Sequence, residues 1–130
     1  MAYANLADLR DKVANYLERT GDTEFLSLFP IFVMSVEDQI NKALFSLSED
    51  GVTPTDSIPA LSDDADSNWI LTGIGSIYFF GVVMEAAIAD LASEAQGQLA
   101  GTKFSDHLND LSGKRKAVRL TAAKPGGQTP

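Results

Sequence analysis

Residues 67 to 87 read SNWILTGIGSIYFFGVVMEAA, and Glu85 is the single charge in those twenty-one positions. A membrane span, a core helix, or a helix covered by further copies of the same chain would each carry such a stretch. A lone span over residues 69 to 92 would have to take Glu85 and Asp90 into hydrocarbon and has no basic flank on either side, so the membrane reading is disfavoured. Ile77, Phe80, Met84, Ala87, Ile88 and Leu91 keep helical spacing, while Tyr78, Phe79, Val82 and Val83 fill much of the remaining circumference. The spacing predicts a helix from about Ser76 to Ala95, apolar nearly all round in its first half and therefore buried on several sides.

The other segments are also helical in period. In NLADLRDKVANYLER, residues 5 to 19, Leu6, Leu9, Val13, Tyr16 and Leu17 share one side and Asp8, Asp11, Lys12, Asn15 and Glu18 the other. This amphipathic helix is expected to stop at Thr20-Gly21, where glycine supplies a left-handed residue, with Asp22 as the next N-cap. DTEFLSLFP reads as a short helix ending before Pro30, because the residue ahead of a proline is pushed out of the helical region; a second helix is expected to start at Pro30. Its stripe is Val33, Val36, Ile40, Ala43, Leu44 and Leu47, and Glu37, Asp38, Asn41 and Lys42 form the wet side. Residues 48 to 68 hold two prolines, a glycine and six acids without periodicity, as a long loop would. Thr102 is the expected N-cap of a closing helix with the stripe Phe104, Leu108 and Leu111, and TAAKPGGQTP is a disordered-type tail in isolation. No segment alternates with period 2, so the expected fold is all-α: a small antiparallel bundle of three to four helices with a long acidic loop and an extended C-terminal tail.

The charge is unevenly placed. The net charge of −8 divides at residue 111: Lys114, Arg115, Lys116, Arg119 and Lys124 stand without any acid in the last nineteen residues, leaving five bases against eighteen acids before them. No basic residue lies between Lys42 and Lys103. The expected units are an acidic body, 1–111, and a basic segment, 112–130, suited to a negative partner surface. Five bases on an acidic protein would make only a weak, salt-sensitive contact with nucleic acid. The chain has no cysteine, which removes disulfides, thiolate metal sites and cysteine nucleophiles. Its opening, MAYANLADLRDK, is charged by position 8 and does not read as a signal peptide.

Catalytic material is sparse. His107 is the only histidine, with no partner constellation in its segment and so read as a surface or interface residue, and the phosphate-loop, dinucleotide, nucleophile-elbow and zincin motifs are absent. Asp64, Asp66 and Asn68 match the first alternate ligands of a calcium loop, but Trp69 stands at the sixth position, where the turn needs glycine, and Gly75 at the twelfth, where it needs glutamate. No enzyme activity, cofactor or metal is expected. What remains is a surplus of large apolar residues, Phe25, Phe29, Phe32, Phe45, Trp69, Tyr78, Phe79 and Phe80, which predicts self-association or docking ahead of the alternative, an unusually aromatic monomer core.

Three pieces in fixed order carry a resemblance. LADLRDKVANYLERTGDTEFLSLFPIFVMSVEDQINKAL resembles the opening of bacteriophage head-to-tail adaptor proteins of the podovirus tail accessory factor type, through Tyr16, Leu17, Arg19, Thr20, Pro30, Ile40, Asn41 and Leu44. IPALSDDADSNWILTGIGSIYFFGVVMEAA is similar to that family's second signature, through Asn68, Trp69, Ile70, Leu71, Thr72, Tyr78, Glu85, Ala86 and Ala87. KFSDHLNDL with the basic run after it is similar to the closing helix and tail, so the resemblance spans roughly residues 5 to 120; the acidic loop of 48 to 66 stands where the family commonly carries a β-containing insertion.

The resemblance implies a structural virion protein, made in the host cytoplasm, that sits as a dodecameric ring at the portal vertex between capsid and tail. Its implied partners are the portal protein, a tail or nozzle protein and further copies of itself, with DNA passing through without specific binding and no membrane. On this reading Lys114, Arg115, Lys116, Arg119, Leu120 and Lys124 dock on the portal. Phe29, Phe32, Trp69, Tyr78, Phe79 and Val82 are expected at subunit interfaces, since a closed ring needs two different faces. Asp56, Asp63, Asp64 and Asp66 are expected to face the channel or the tail. The alternative expectation is a small helical protein-binding or regulatory module acting as a dimer.

Overall fold

In the computed structural model, the backbone is described for residues 2–45 and 57–122 and the side chains for 2–44 and 57–111. Among the described residues there are five helices and no strand: α1 (Leu6–Tyr16), α2 (Thr23–Phe45), α3 (Trp69–Gly73), α4 (Ser76–Ile88) and α5 (Glu94–Ala122). The all-α bundle read from the periodicity is the observed fold, with the short α3 added to it.

α4 is its axis. It packs against all four other helices, and Ile77, Tyr78, Phe79, Gly81, Val82, Val83 and Ala86 are buried. At 100° per residue these seven cover about two thirds of the circumference. The half-buried Phe80, Met84 and Ala87 fill the remaining sector, toward α5. Each large apolar side chain taken out of water contributes about 1.5–3 kcal/mol, so a helix covered on all sides repays the absence of any wet face. At 13 residues α4 is about 20 Å long, and no helix among the described residues is long and apolar enough to cross a membrane.

This arrangement corrects the expected subunit interface. Phe29, Phe32, Tyr78, Phe79 and Val82 are 3%, 6%, 0%, 7% and 0% exposed, within one core that also holds Phe25, Val33, Val36, Ile40 and Leu44. Of the aromatic surplus, Phe25, Phe29, Phe32, Tyr78 and Phe79 are absorbed into the core, and for them the cover assigned to neighbouring copies comes from the chain's own segments.

Four boundaries also differ. α2 runs unbroken through Pro30. A proline inside a helix costs about 3 kcal/mol through its lost N–H and its clash with the preceding turn. Here Pro30 lies on the outer face beside the exposed Leu26, where water can solvate the freed carbonyl, and burial of Phe25, Phe29, Phe32 and Val33 on the other face exceeds that cost. The helix starts where expected: Asp22 Oδ1 accepts the amides of Glu24 and Phe25 at 2.9 and 3.2 Å.

The helix expected to reach Ala95 instead ends at Ile88. Asp90 adopts a left-handed φ of 62°, and the amides of Asp90 and Leu91 return to the carbonyls of Ala87 and Ala86 at 3.1 and 2.8 Å, closing a Schellman motif. α5 is capped nine residues ahead of the expected Thr102, by a capping box: Ser93 Oγ accepts the Gln96 amide and Gln96 Oε1 the Ser93 amide, both at 3.0 Å. α1 ends on a second Schellman motif, with Glu18 at φ 57° in the place expected of Gly21 and the amides of Glu18 and Arg19 on the carbonyls of Asn15 and Ala14 at 3.1 and 2.8 Å. Arg19 ties the two ends together, donating from Nε to the Leu91 carbonyl at 2.7 Å and from Nη1 to Asp22 at 2.6 Å. That guanidinium, with the two capped amides, holds the Asp22 carboxyl below the usual range.

α4 and α5 approach closely because glycine stands at the crossings. A Cβ on Gly81 would lie 2.7 Å from Val36 Cγ2 and 3.0 Å from Phe104 Cε1, where three helices meet. A Cβ on Gly97 would lie 2.5 Å from the Cβ of Ala87, a methyl with no rotamer to escape through. Gly97→Ala therefore sets a helix-propensity gain of about 1 kcal/mol against an overpacking cost of about 1–3 kcal/mol. A net loss of stability is expected in urea unfolding followed by circular dichroism. In an Ala87→Gly background the same substitution should be neutral or stabilising, a coupling that equal losses in both backgrounds would refute.

Candidate functional site

Glu37 occupies the buried register of α2, one turn after Val33 and between Val36 and Ile40, and is 6% exposed. Its Oε2 accepts the Tyr78 hydroxyl at 2.7 Å and the Leu61 amide at 3.0 Å. The Tyr78 oxygen accepts from Asn68 Nδ2 at 2.8 Å, which also donates to the Pro59 carbonyl at 3.0 Å, while Asn68 Oδ1 caps α3 by accepting the Leu71 amide at 2.9 Å. Asn41 Oδ1 accepts the Ile58 amide at 3.0 Å. Residues 57–68 thus lie as a strap on α2 and α4, with Ile58 and Leu61 each 5% exposed.

The wet side expected of α2 is corrected here: Glu37 is buried and the half-buried Asn41 holds the strap, leaving Asp38 and Lys42 outside as an ion pair at 3.1 Å. Burial pushes the Glu37 carboxyl above its ordinary range, against the bonds from Tyr78 and Leu61 that pull it down. Burial also pushes the Tyr78 phenol up, opposed by Asn68 and reinforced by Glu37, so Tyr78 stays a donor.

The acidic turn at 63–66 caps α1. The carbonyls of Asp66 and Asp64 accept the amides of Leu6 and Ala7 at 2.9 and 3.0 Å, and Asn5 Oδ1 accepts that of Asp8 at 3.0 Å. The first three amides of α1, which a helix cannot satisfy internally, are thereby all paired. The Asp66 carboxylate is turned onto the amides of Asp63 and Ser62, both at 2.9 Å, which hold it below the usual range. The Asp64 carboxylate takes Arg10 Nη1 at 2.7 Å. Asp66 therefore serves its own turn, Asp63 and Asp64 keep exposed side chains, and Asp56 lies outside the described residues. Among the described residues no three His, Cys, Asp or Glu side chains converge as a metal-binding group.

Of the six residues expected at subunit faces only Trp69 is exposed, at 42%. The apolar surface lies elsewhere. Ile31 and Met34 share the outer face of α2, 59% and 66% exposed, and Ile88 on α4 is 74% exposed. The Ser35 hydroxyl donates to Glu85 between these helices, placing Ile88 one turn beyond that bond at the level of Ile31. Leu99, 50% exposed, stands on the opposite side of α5 from Phe104, away from the core. An open groove of about 410 Å³ separates α1 from α2 and the strap, with Leu6, Leu26, Phe29 and Pro30 as its apolar lining and Arg10 and Asp64 at its edge.

His107 stacks on Phe80, with ring centroids 5.9 Å apart and planes 17° apart, as a packing residue of the α4–α5 crossing. Lys114, Arg115, Lys116, Arg119 and Leu120 stand in the last turns of α5, whose backbone is helical through Gly113 to Ala122, and Lys124 lies outside the described residues. The α4–α5 register pairs Ala87 with Gly97, Gly81 with Phe104 and Phe80 with His107. It reaches the start of α4 near Leu111, so the basic turns continue past α4. Comparison of the chain with known protein families, curated proteins and solved structures finds no match.

Asn68 was readable as an N-cap ahead of an apolar run; its second role, holding Pro59 and Tyr78, was not. Asn68→Ala should lose the cap and the bonds to the Pro59 carbonyl and to the buried Tyr78 oxygen. Stability is expected to fall by about 2–4 kcal/mol, read as a lower urea midpoint at unchanged slope; a fall below about 0.5 kcal/mol would mean that the strap contributes nothing to the fold.

Proposed function

We propose that the chain is a structural virion protein, a phage head-to-tail adaptor that assembles as a ring between portal and tail. The observation that carries this reading is the disposition of α5: a 29-residue helix that continues past the start of α4 and ends in the chain's only cluster of bases, on a body of net charge −13. Such a helix can lie on an acidic portal surface while the acidic body repels the phosphate backbone of the DNA it lets through. In this proposal the ring contacts use exposed residues, Ile31, Met34 and Ile88 on one side and Leu99 on the other. Two unlike faces are what a head-to-tail ring contact requires.

A dimeric helical binding module is the second reading, favoured by the same Ile31, Met34 and Ile88 surface, since one self-complementary patch suffices for a two-fold pair. Sedimentation velocity of the chain alone separates it: a stable dimer supports the module. For the adaptor, the test is co-sedimentation with portal rings of the virus that encodes the chain. The intact protein should pellet with the rings. The variant carrying Glu at positions 114, 115, 116 and 119 should bind at least about tenfold more weakly, as the loss of several exposed charge contacts implies, with its helical circular dichroism retained. Absence of pelleting by the intact chain, or equal pelleting by both proteins, counts against the adaptor.

A further inference from the structure

We propose that residues 57–68 form a strap that opens as one unit, and that ionisation of Glu37 is what loosens it. The strap's hold on α2 and α4 is concentrated in a few bonds: Leu61 N–H to Glu37 and Ile58 N–H to Asn41 on α2, and Asn68 Nδ2–H to the Tyr78 hydroxyl on α4. Its hold on α1 is the pair of carbonyls from Asp64 and Asp66 and the Arg10 ion pair. Between these ends Ile58 and Leu61 cover the cluster, so water reaches Glu37 once they lift.

The groups facing Glu37 are few. Tyr78 presents its hydroxyl from α4, with Asn68 behind it, and the strap presents only the Leu61 amide. No ion pair with a basic side chain reaches Glu37 among the described residues. A buried carboxylate compensated by two neutral donors is poorly matched to its charge. The closed strap therefore prefers the protonated form, in line with the upward displacement of Glu37, whereas the open strap, with water at the carboxyl, tolerates the charge.

The sign follows from linkage. The closed form has the higher pKa and holds its proton more tightly. Opening is least favoured below the ordinary glutamate range and grows by at most tenfold per pH unit between the open and closed values, then levels off. This inference does not rest on the adaptor reading.

Native-state hydrogen exchange of the Ile58 and Leu61 amides, corrected for the intrinsic pH dependence of exchange, tests it. Protection in the intact chain should fall as pH rises above the ordinary glutamate range and then plateau. Glu37→Gln, which keeps an acceptor but cannot ionise, should show no such fall. Tyr78→Phe, which removes a bond favouring the carboxylate, should move the fall to higher pH. An unchanged fall in Glu37→Gln overturns the role of Glu37. Exchange of Ile58 and Leu61 only in step with the core amides of Val36 and Val83 overturns the strap as a separate unit.

Discussion

A helix with apolar side chains on every sector can face water on none of them, and in this chain the cover for α4 comes from four segments of the same polypeptide. That requirement sets the order of the rest. α2 must be long enough to lay its stripe from Phe25 to Leu44 along one side. α5 must come close enough on another for glycine to be needed at positions 81 and 97. α1 must reach the sector left open by those two, and its Tyr16 meets Phe79 edge-on at a centroid distance of 5.2 Å. Within the described residues, the stretch that looked made for a membrane or a neighbouring subunit is the object around which a small bundle is wound.

The polar cluster at Glu37, Tyr78 and Asn68 answers a different problem. A bundle closed by apolar packing alone tolerates sliding of one helix along another, because hydrophobic contact is non-directional. A hydroxyl bridging a carboxylate on α2 and an amide at the start of α3 is satisfied in one register only. The same cluster gathers the strap, and the strap caps α1 with its backbone, so the geometry of three elements is referred to one fully buried tyrosine. Buried polar groups cost free energy unless paired, which makes the cluster a source of specificity more than of net stability.

Much of the fold was legible in the residues and much of the candidate site was not. The helical period of α1, the Asp22 cap and the burial of the apolar region from Ile77 to Ala86 agree with the residues, whereas Ile88, in register with that stripe, is exposed. Pro30 does not end the helix, because a local preference of about 3 kcal/mol is smaller than the burial of the phenylalanines around it. The start of α5 is legible in Ser93-Glu94-Ala95-Gln96, whose serine and glutamine sit at capping-box spacing, although the apolar period of α4 continues up to it, to Leu91. Glu37 could have been noticed, since it falls in register with Val33, Val36, Ile40 and Leu44. Its charge argues for the outside, but a carboxylate inside an apolar register is a sign of a buried partner. The aromatic residues were set at subunit faces because a count of large side chains says nothing about how many sides of a central helix its own chain will cover. The capping role of Asp64 and Asp66 rests on backbone carbonyls, for which side-chain identity carries no signal.

The continuous backbone of α5 through Gly113 alters the thermodynamics of anything that meets its far end. Starting a helix is the unfavourable step, because several residues must be fixed before the first hydrogen bond repays them; adding residues to an existing one is close to neutral. In this chain the starting turns are anchored by Ser93 and Gln96 and clamped against α4, so the eleven residues from 112 to 122 grow from a template that already exists. The far turns therefore need no nucleus of their own, and each further residue joins the helix at a cost close to zero.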